Sequence, residues 1–481
     1  MAESLETQAV QPPSLVDATI PLIALAVLIG SAIALFGLDA LDGPVQVALV
    51  MCCAAAALIA LKNGHRWTAV QEAGQGALSS ITSALFILLA VGALIGTWNL
   101  SGTIPTLVAT AVICGVVAMS IGSSWTTAGT IGVGLVGIAS MLGVSAAITA
   151  GAVISGAYLG DKLSPLSETT ILTAQMVEVD LYTHIRSQAW TSVPAFVIAA
   201  VTFTILGIAG PPVQDTVEEA VELPKLSEIF WINPVNLLPL LLLVILSMRK
   251  APASLALLCS ALFAGIQATI PQRDVVDAFV AEIHGSANAF VGSVQAIWKA
   301  LANGFAMNSG IADIDRLLSR GGMDSMLLTI WLIIGAVTFG ALLEQFGLID
   351  RLVRPLIASA RTTGRLYLAV FASGIGLNIV AGDQYIALVL PSRIYRVEFE
   401  RRGLAPQNLS RLAADSGTVT SPLVPWNSCG AFMGAVLGVA TLAYLPFSVF
   451  NIASPLLSVV YGYTGFKIVK TGAVEKIGDD S

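Results

Sequence analysis

The chain has 481 residues, of which 56% are hydrophobic and 11% charged, with a net charge of −7 and a mean hydropathy of +0.84. These values exclude an ordinary soluble domain and place the chain among polytopic membrane proteins. The acid excess lies mostly in loops and tails, which gives no footprint for a nucleic-acid partner.

Residues 1–18 read as a polar tail, and Met1 to Asp17 lack the basic n-region of a cleavable signal. Apolar runs at 20–37, 45–62 and 79–98 are each near the roughly 20 residues that a bilayer requires. Between the second and third, Lys62 to Gly76 carries His65, Arg66, Trp67 and Glu72 and reads as an interfacial segment. Two shorter runs, 103–120 and 128–142, flank the small and polar stretch Ile121 to Thr130, which fits a helical hairpin with a polar tip.

After Glu72 no Asp, Glu, Lys or Arg appears until Asp161. There the chain reads Gly160-Asp161-Lys162-Leu163-Ser164-Pro165-Leu166-Ser167-Glu168-Thr169-Thr170. Ionisable residues at that depth are costly in a membrane and mark function. Pro165 lacks a backbone donor and clashes with the preceding turn, so the helix is expected to open there. The opening would leave carbonyls for a cation beside the hydroxyls of Ser164, Ser167, Thr169 and Thr170. The competing reading is a polar loop between two ordinary helices. The helix is expected to resume to about Val177, followed by a charged loop at 178–186 and a span at 190–209.

An acidic, proline-led segment at 211–232 separates an N-terminal repeat, 19–210, from a C-terminal repeat, 233–466; a polar tail, 467–481, closes the chain. Spans are expected at 233–248, 252–270 and 325–346. Residues 273–324 are more polar, with one helix near 286–306. Segment 366–392 lies between two basic loops, Arg351, Arg354, Arg361 and Arg365 before it and Arg393, Arg396, Arg401, Arg402 and Arg411 after it. Basic loops concentrate on the cytoplasmic side. The segment therefore enters and returns on one face, with Gly382, Asp383 and Gln384 at its tip. A second break, Ser416 to Gly430, repeats the tripeptide Ser-Pro-Leu and adds Asn427. Spans at 431–446 and 448–464 follow.

Hairpin then broken helix occurs in both halves, with 40 positions from Trp125 to Pro165 and 38 from Gln384 to Pro422. Uncharged loops flank the first hairpin and basic loops the second, so inverted repeats are the simplest reading. The expected fold is an all-α polytopic membrane protein. Paired broken helices in matching positions point to a transporter's binding site.

The five cysteines form no ligand spacing and argue against a disulfide framework. His65, His184 and His284 form no metal spacing and read as surface residues. No nucleophile–base pair or phosphate loop supports an enzyme, and no cofactor is expected beyond Na+ and H+ as transported or coupling ions.

Four stretches resemble the signatures of the NhaC-type Na+/H+ antiporter family: Gly122 to Gly132, Ser155 to Thr170, Gly382 to Tyr385, and Asp415 to Gly430. The resemblance covers roughly 100–190 and 330–460. It implies a multi-pass secondary transporter of the cell inner (cytoplasmic) membrane, and the wider ion-transporter superfamily, whose members are commonly dimers, implies a dimer with a moving transport domain and a static scaffold. Members with similar motifs exchange organic acids, for example malate against lactate.

Cation–proton exchange needs a carboxylate that can hold either ion: desolvation favours its protonated form and a bound cation its ionised form. Asp161 and Asp383 each follow a glycine at a break and are the leading carriers. With Thr169 and Asn427 they form the expected Na+ ligand set, since neutral oxygens suit a hard cation. Ser123, Trp125, Ser164, Ser167, Glu168, Thr170, Gln384 and Ser421 complete the candidate site. Asp415 and Glu344 rank second, with a structural partner role equally open. Two readings stay open: an Na+/H+ antiporter, and an Na+- or H+-coupled exchanger of an organic anion or amino acid. The lack of arginine in the central motifs favours a cation; Lys162 keeps the anion reading open.

Overall fold

The computed structural model describes residues 10–109, 124–141, 144–165, 167–209, 227–249, 251–281, 288–310, 314–315 and 318–471. Among these residues the chain is helical, with no strand beyond an isolated bridge between Leu404 and Lys470. In lipid every backbone polar group must be satisfied within the protein, and helices do this segment by segment.

The first half runs through α1 (Leu15–Phe36), α2 (Pro44–Lys62), α3 (Trp67–Leu100) and α4 (Thr103–Ala109). It continues with α5 (Ser124–Thr127), a π-helical turn (Ala128–Gly132), α6 (Val133–Met141), α7 (Ala146–Leu163), α8 (Glu168–Met176) and α9 (Leu181–Ala209). The second half contains α10 (Leu238–Met248), α11 (Ala253–Ala268), α12 (Arg273–Ala281), α13 (Ala289–Asn303), α14 (Leu327–Gln345) and α15 (Leu348–Ser359). Then come α16 (Thr363–Val380), α17 (Gln384–Arg401), α18 (Pro406–Ala413), a π-helical turn (Ala414–Thr418), α19 (Ser428–Leu437), α20 (Thr441–Tyr444) and α21 (Val449–Thr464).

Six of these helices are long and apolar enough to cross a bilayer: α1, α2, α3, α9, α14 and α16. The protein is a multi-pass membrane protein. α1 opens on a capping box in which Ser14 and Asp17 exchange hydrogen bonds, and Asp17 also meets Lys62 at 2.5 Å, tying the start of α1 to the end of α2.

Two expectations are corrected. The interfacial segment at 62–76 does not exist as a separate element, because α3 starts at Trp67 and runs 34 residues without a break. Nothing in Trp67 to Gly76 stops a helix, since Gly74 and Gly76 each cost only about 1 kcal/mol. The span at 431–446 is likewise two pieces. α19 has 10 residues and is capped by Gly438, which takes a φ of +67° that favours glycine. The chain then turns by 90° into Thr441–Phe447.

One order of elements recurs. In the first half, α4 and the α5–α6 arm precede α7, the short α8 and the long α9; in the second, α16 and α17 precede α18, the short α19 and α21. α8 and α19 have 9 and 10 residues, or about 14 and 15 Å at 1.5 Å per residue, half a bilayer each. The α16–α17 hairpin is longer than the sequence suggests, with 18 residues in each arm. Gly382 makes its tight turn at a φ of +62°, with Ala336 of α14 in the space a side chain would need.

Candidate functional site at two helix breaks

The first break follows from local chemistry. α7 ends at Leu163, Ser164 takes extended backbone, and Ser167 caps α8 by accepting from Thr170 N. Two of the carbonyls freed at the end of α7 are occupied: the Thr170 hydroxyl lies 3.1 Å from Asp161 O and 3.3 Å from Lys162 O. A cation would therefore meet side-chain oxygens here before backbone ones.

Those side-chain oxygens converge on Asp161. Its carboxylate is buried and accepts from Ser124 Oγ at 3.0 Å and Ser167 Oγ at 2.6 Å. Ser167 Oγ lies 3.0 Å from Thr169 Oγ1. Ser124 comes from the start of α5 and Ser167 and Thr169 from the start of α8, so three segments meet at one carboxylate. Each hydroxyl can donate to the ionised acid, accept from the protonated acid, or present a lone pair to a cation.

The second break is stitched by amides. Asn378 Nδ2 of α16 donates to Gly417 O at 2.6 Å and Thr420 Oγ1 at 2.9 Å. Asn427 caps α19 by accepting from Cys429 N at 2.9 Å, and its Nδ2 donates to Asn378 Oδ1 at 3.0 Å. Asn427 thus has its oxygen committed to a helix end. Asp383 is similarly placed: it caps α17, accepting from Tyr385 N at 2.8 Å and Ile386 N at 3.1 Å.

The two breaks lie together. Tyr158 OH is 3.4 Å from Ser421 Oγ. One turn further along α7, Lys162 Nζ donates to Asp415 in the opposite π-helical turn. As residue number rises from 158 to 162, the partner's falls from 421 to 415, so the two segments cross antiparallel. Lys162 kept the anion reading open in the sequence; the structure gives it Asp415. Lys162 Nζ also donates to Thr191 Oγ1 at 3.1 Å and Ser454 Oγ at 2.9 Å, while Ser454 and Ser458 donate to Asp415 at 2.6 and 2.5 Å. Both charges are buried, and the hydroxyls supply the hydrogen bonds that a buried pair needs to offset its desolvation.

The hairpins close the flanks. Tyr385 OH of α17 donates to Glu168 Oε2 at 3.1 Å, although Glu168 itself is exposed. Gln384 is buried and its Oε1 has no hydrogen-bond partner. Trp125 stacks on Phe432 of α19 with ring centroids 4.2 Å apart. Ser123 lies outside the described residues. Ser164 is half-buried at the break. Outside the spanning helices, Arg396 bonds Glu178 at 2.6 Å and holds that exposed carboxyl below its usual range.

His184 corrects a further expectation. It is fully buried in α9, with Nδ1 2.8 Å from Ser410 Oγ and Nε2 against the Gln188 amide. No group of three or more His, Cys, Asp or Glu is placed to hold a metal ion among the described residues. One carboxylate among hydroxyls, rather than a ligand cluster, is what the centre offers.

A family model described as the Na+/H+ antiporter family matches residues 101–177 and 156–466. The chain is 36% identical to the Na+/H+ antiporter NhaC of Alkalihalophilus pseudofirmus, over 88% of this chain and 91% of that protein. It is 33% identical to the malate-2H+/Na+-lactate antiporter of Bacillus subtilis, over 88% of this chain and 90% of that protein. It is 32% identical to the arginine/ornithine antiporter ArcD of Halobacterium salinarum, over 95% of this chain and 93% of that protein. With long relatives on both sides of the ion-or-solute question, and a family match running through both breaks, the chain belongs to the Na+/H+ antiporter family.

Proposed function

We propose that the protein exchanges Na+ for H+, with both ions competing for Asp161. The observation that carries this reading is the set of partners around three buried aspartates. Asp415 has Lys162, Asp383 has two backbone N–H groups, and Asp161 has two neutral hydroxyls. Asp161 is thus the carboxylate whose charge is least compensated, and a buried carboxylate in that state binds either a proton or a cation. When protonated it donates to a neighbouring hydroxyl. When it loses the proton to water, Na+ takes the same place, held by the carboxylate and the oxygens of Ser124, Ser167 and Thr169. One ion leaves before the other enters, which is the logic of obligatory exchange.

Asp383, Gln384, Glu168, Ser421 and Asn427 shape the site around that carboxylate. The antiparallel crossing of the two pre-break segments supports inverted repeats, with the breaks near the bilayer midplane. On this reading the transporter sits in the bacterial inner membrane as a dimer.

A second reading, exchange of an organic acid or amino acid, is favoured by the relatives named for malate, lactate, arginine and ornithine, and by the unpartnered Gln384 Oε1. Against it, Lys162 is committed to Asp415 and is not available to clamp a carboxylate. Proteoliposomes with an imposed Na+ gradient and an internal pH dye separate the two. Proton flux without any organic solute is expected; flux that requires malate, lactate, arginine or ornithine would establish the second reading.

A further inference from the structure

The open end of the α16–α17 hairpin carries a cleft that ion exchange does not use. It is lined by Arg361, Thr363, Glu398, Arg401 and Arg402, with Ile357 and Ala358 of α15 along one side. Arg402 is fixed, since its guanidinium donates to Ala360 O and pairs with Glu398 at 2.5 Å. Arg401 pairs with the same Glu398 at 2.8 Å. One carboxylate therefore answers two of three guanidinium groups, and the cleft keeps a net positive charge. Arg361 is exposed beside them.

The surroundings fix the depth of this cleft relative to the membrane. Exposed aromatic residues ring the same end of the molecule. Tyr463 packs on Gly364 at the start of α16, and Trp190 lies beneath the ammonium of Lys467 at 3.8 Å. The segment holding Lys467 is pinned to the loop after α17 by Ala405 N donating to Val469 O at 2.9 Å. Tyrosine and tryptophan at such an end mark the headgroup level. Towards the hairpin tip exposed apolar side chains follow: Val397, four residues before Arg401 on the same helix face, is 69% exposed, and Leu368, three after Arg365, is 42% exposed, with the exposed Arg393 one turn beyond Val397.

We propose that this cleft seats the anionic headgroup of a phospholipid. The phosphate lies among Arg361, Arg401 and Arg402, and the acyl chains run along the flank of Val397 and Leu368. Charge complementarity favours an anionic headgroup, guanidinium groups suit phosphate, and the apolar flank favours a lipid over a free phosphate.

Native mass spectrometry of the full chain tests this. Delipidated protein is offered phosphatidylglycerol or phosphatidylcholine of matched chains. Retention of phosphatidylglycerol is expected to exceed that of phosphatidylcholine by roughly tenfold, the order set by two surface arginines. R361Q/R401Q is expected to abolish the preference while leaving the Arg402–Glu398 tie in place; R361Q alone is expected to reduce it, and R249Q, at the end of α10, to leave it unchanged. Equal retention of the two lipids, unchanged retention in R361Q/R401Q, or displacement by millimolar inorganic phosphate alone would overturn the proposal.

Discussion

Asp161 and Lys162 are neighbours on the last turn of α7, yet their side chains leave the helix about 100° apart and meet different worlds. Asp161 enters the hydroxyl cluster of Ser124 and Ser167; Lys162 enters the polar pocket of Asp415, Thr191 and Ser454. This division predicts how the pair responds to mutation. Lys162→Met leaves Asp415 buried without its cation, and Asp415→Asn leaves Lys162 in the same condition; each is expected to cost about 3–5 kcal/mol. The double variant removes both charges and is expected to recover much of that loss. Thermal unfolding of all three in detergent gives the coupling, and simple addition of the two single losses would contradict the pairing. The pairing was not legible in the sequence. Lys162 and Asp415 are 253 positions apart, and only Asp161 stood close enough to Lys162 to suggest a partner. Asp161 was legible, because an acid that ends a long uncharged stretch needs no tertiary information to be noticed.

The hairpin of α16 and α17 was legible for a similar reason: two basic loops bracket it and a Gly-Asp pair marks its turn. Arg402 donating to Ala360 O places the two loops at one end. Cysteine labelling in right-side-out vesicles is expected to find positions 361 and 402 on the same, cytoplasmic, face; labelling from opposite faces would contradict the hairpin. What the sequence hid was how closely the hairpin meets the second break. A Cβ on Gly417 would lie 2.7 Å from Ala387 O, whereas one on Gly376 meets nothing within 4 Å. Gly417→Ala is therefore expected to cost about 1–3 kcal/mol by overpacking, with Gly376→Ala near neutral. Equal melting temperatures for the two variants would contradict this packing. Hydropathy also concealed the true length of α19, since an apolar run does not reveal the turn that Gly438 makes inside it. His184 misled in the opposite sense: its place at the edge of a charged loop suggested surface, but α9 begins there and turns it towards Ser410.

At the scale of the whole molecule, each half supplies a short helix after a break, α8 and α19, and the centre is built from segments of both halves. Composition and the apolar runs were enough to expect an all-α membrane protein, because a bilayer leaves few ways to satisfy a backbone. They were not enough to rank the acids. That ranking depends on which partner each carboxylate finds, across the halves for Asp415 and within its own half for Asp161 and Asp383, and it leads to the central claim that Na+ and H+ compete for Asp161. Isothermal titration of Na+ into the purified protein, repeated in buffers of differing ionisation enthalpy at a pH where Asp161 is largely protonated, counts the protons released per ion bound. Competition at one carboxylate predicts a release approaching roughly one proton per Na+, and no Na+ binding in Asp161→Asn. Na+ binding without proton release, or unchanged binding in Asp161→Asn, would contradict the account.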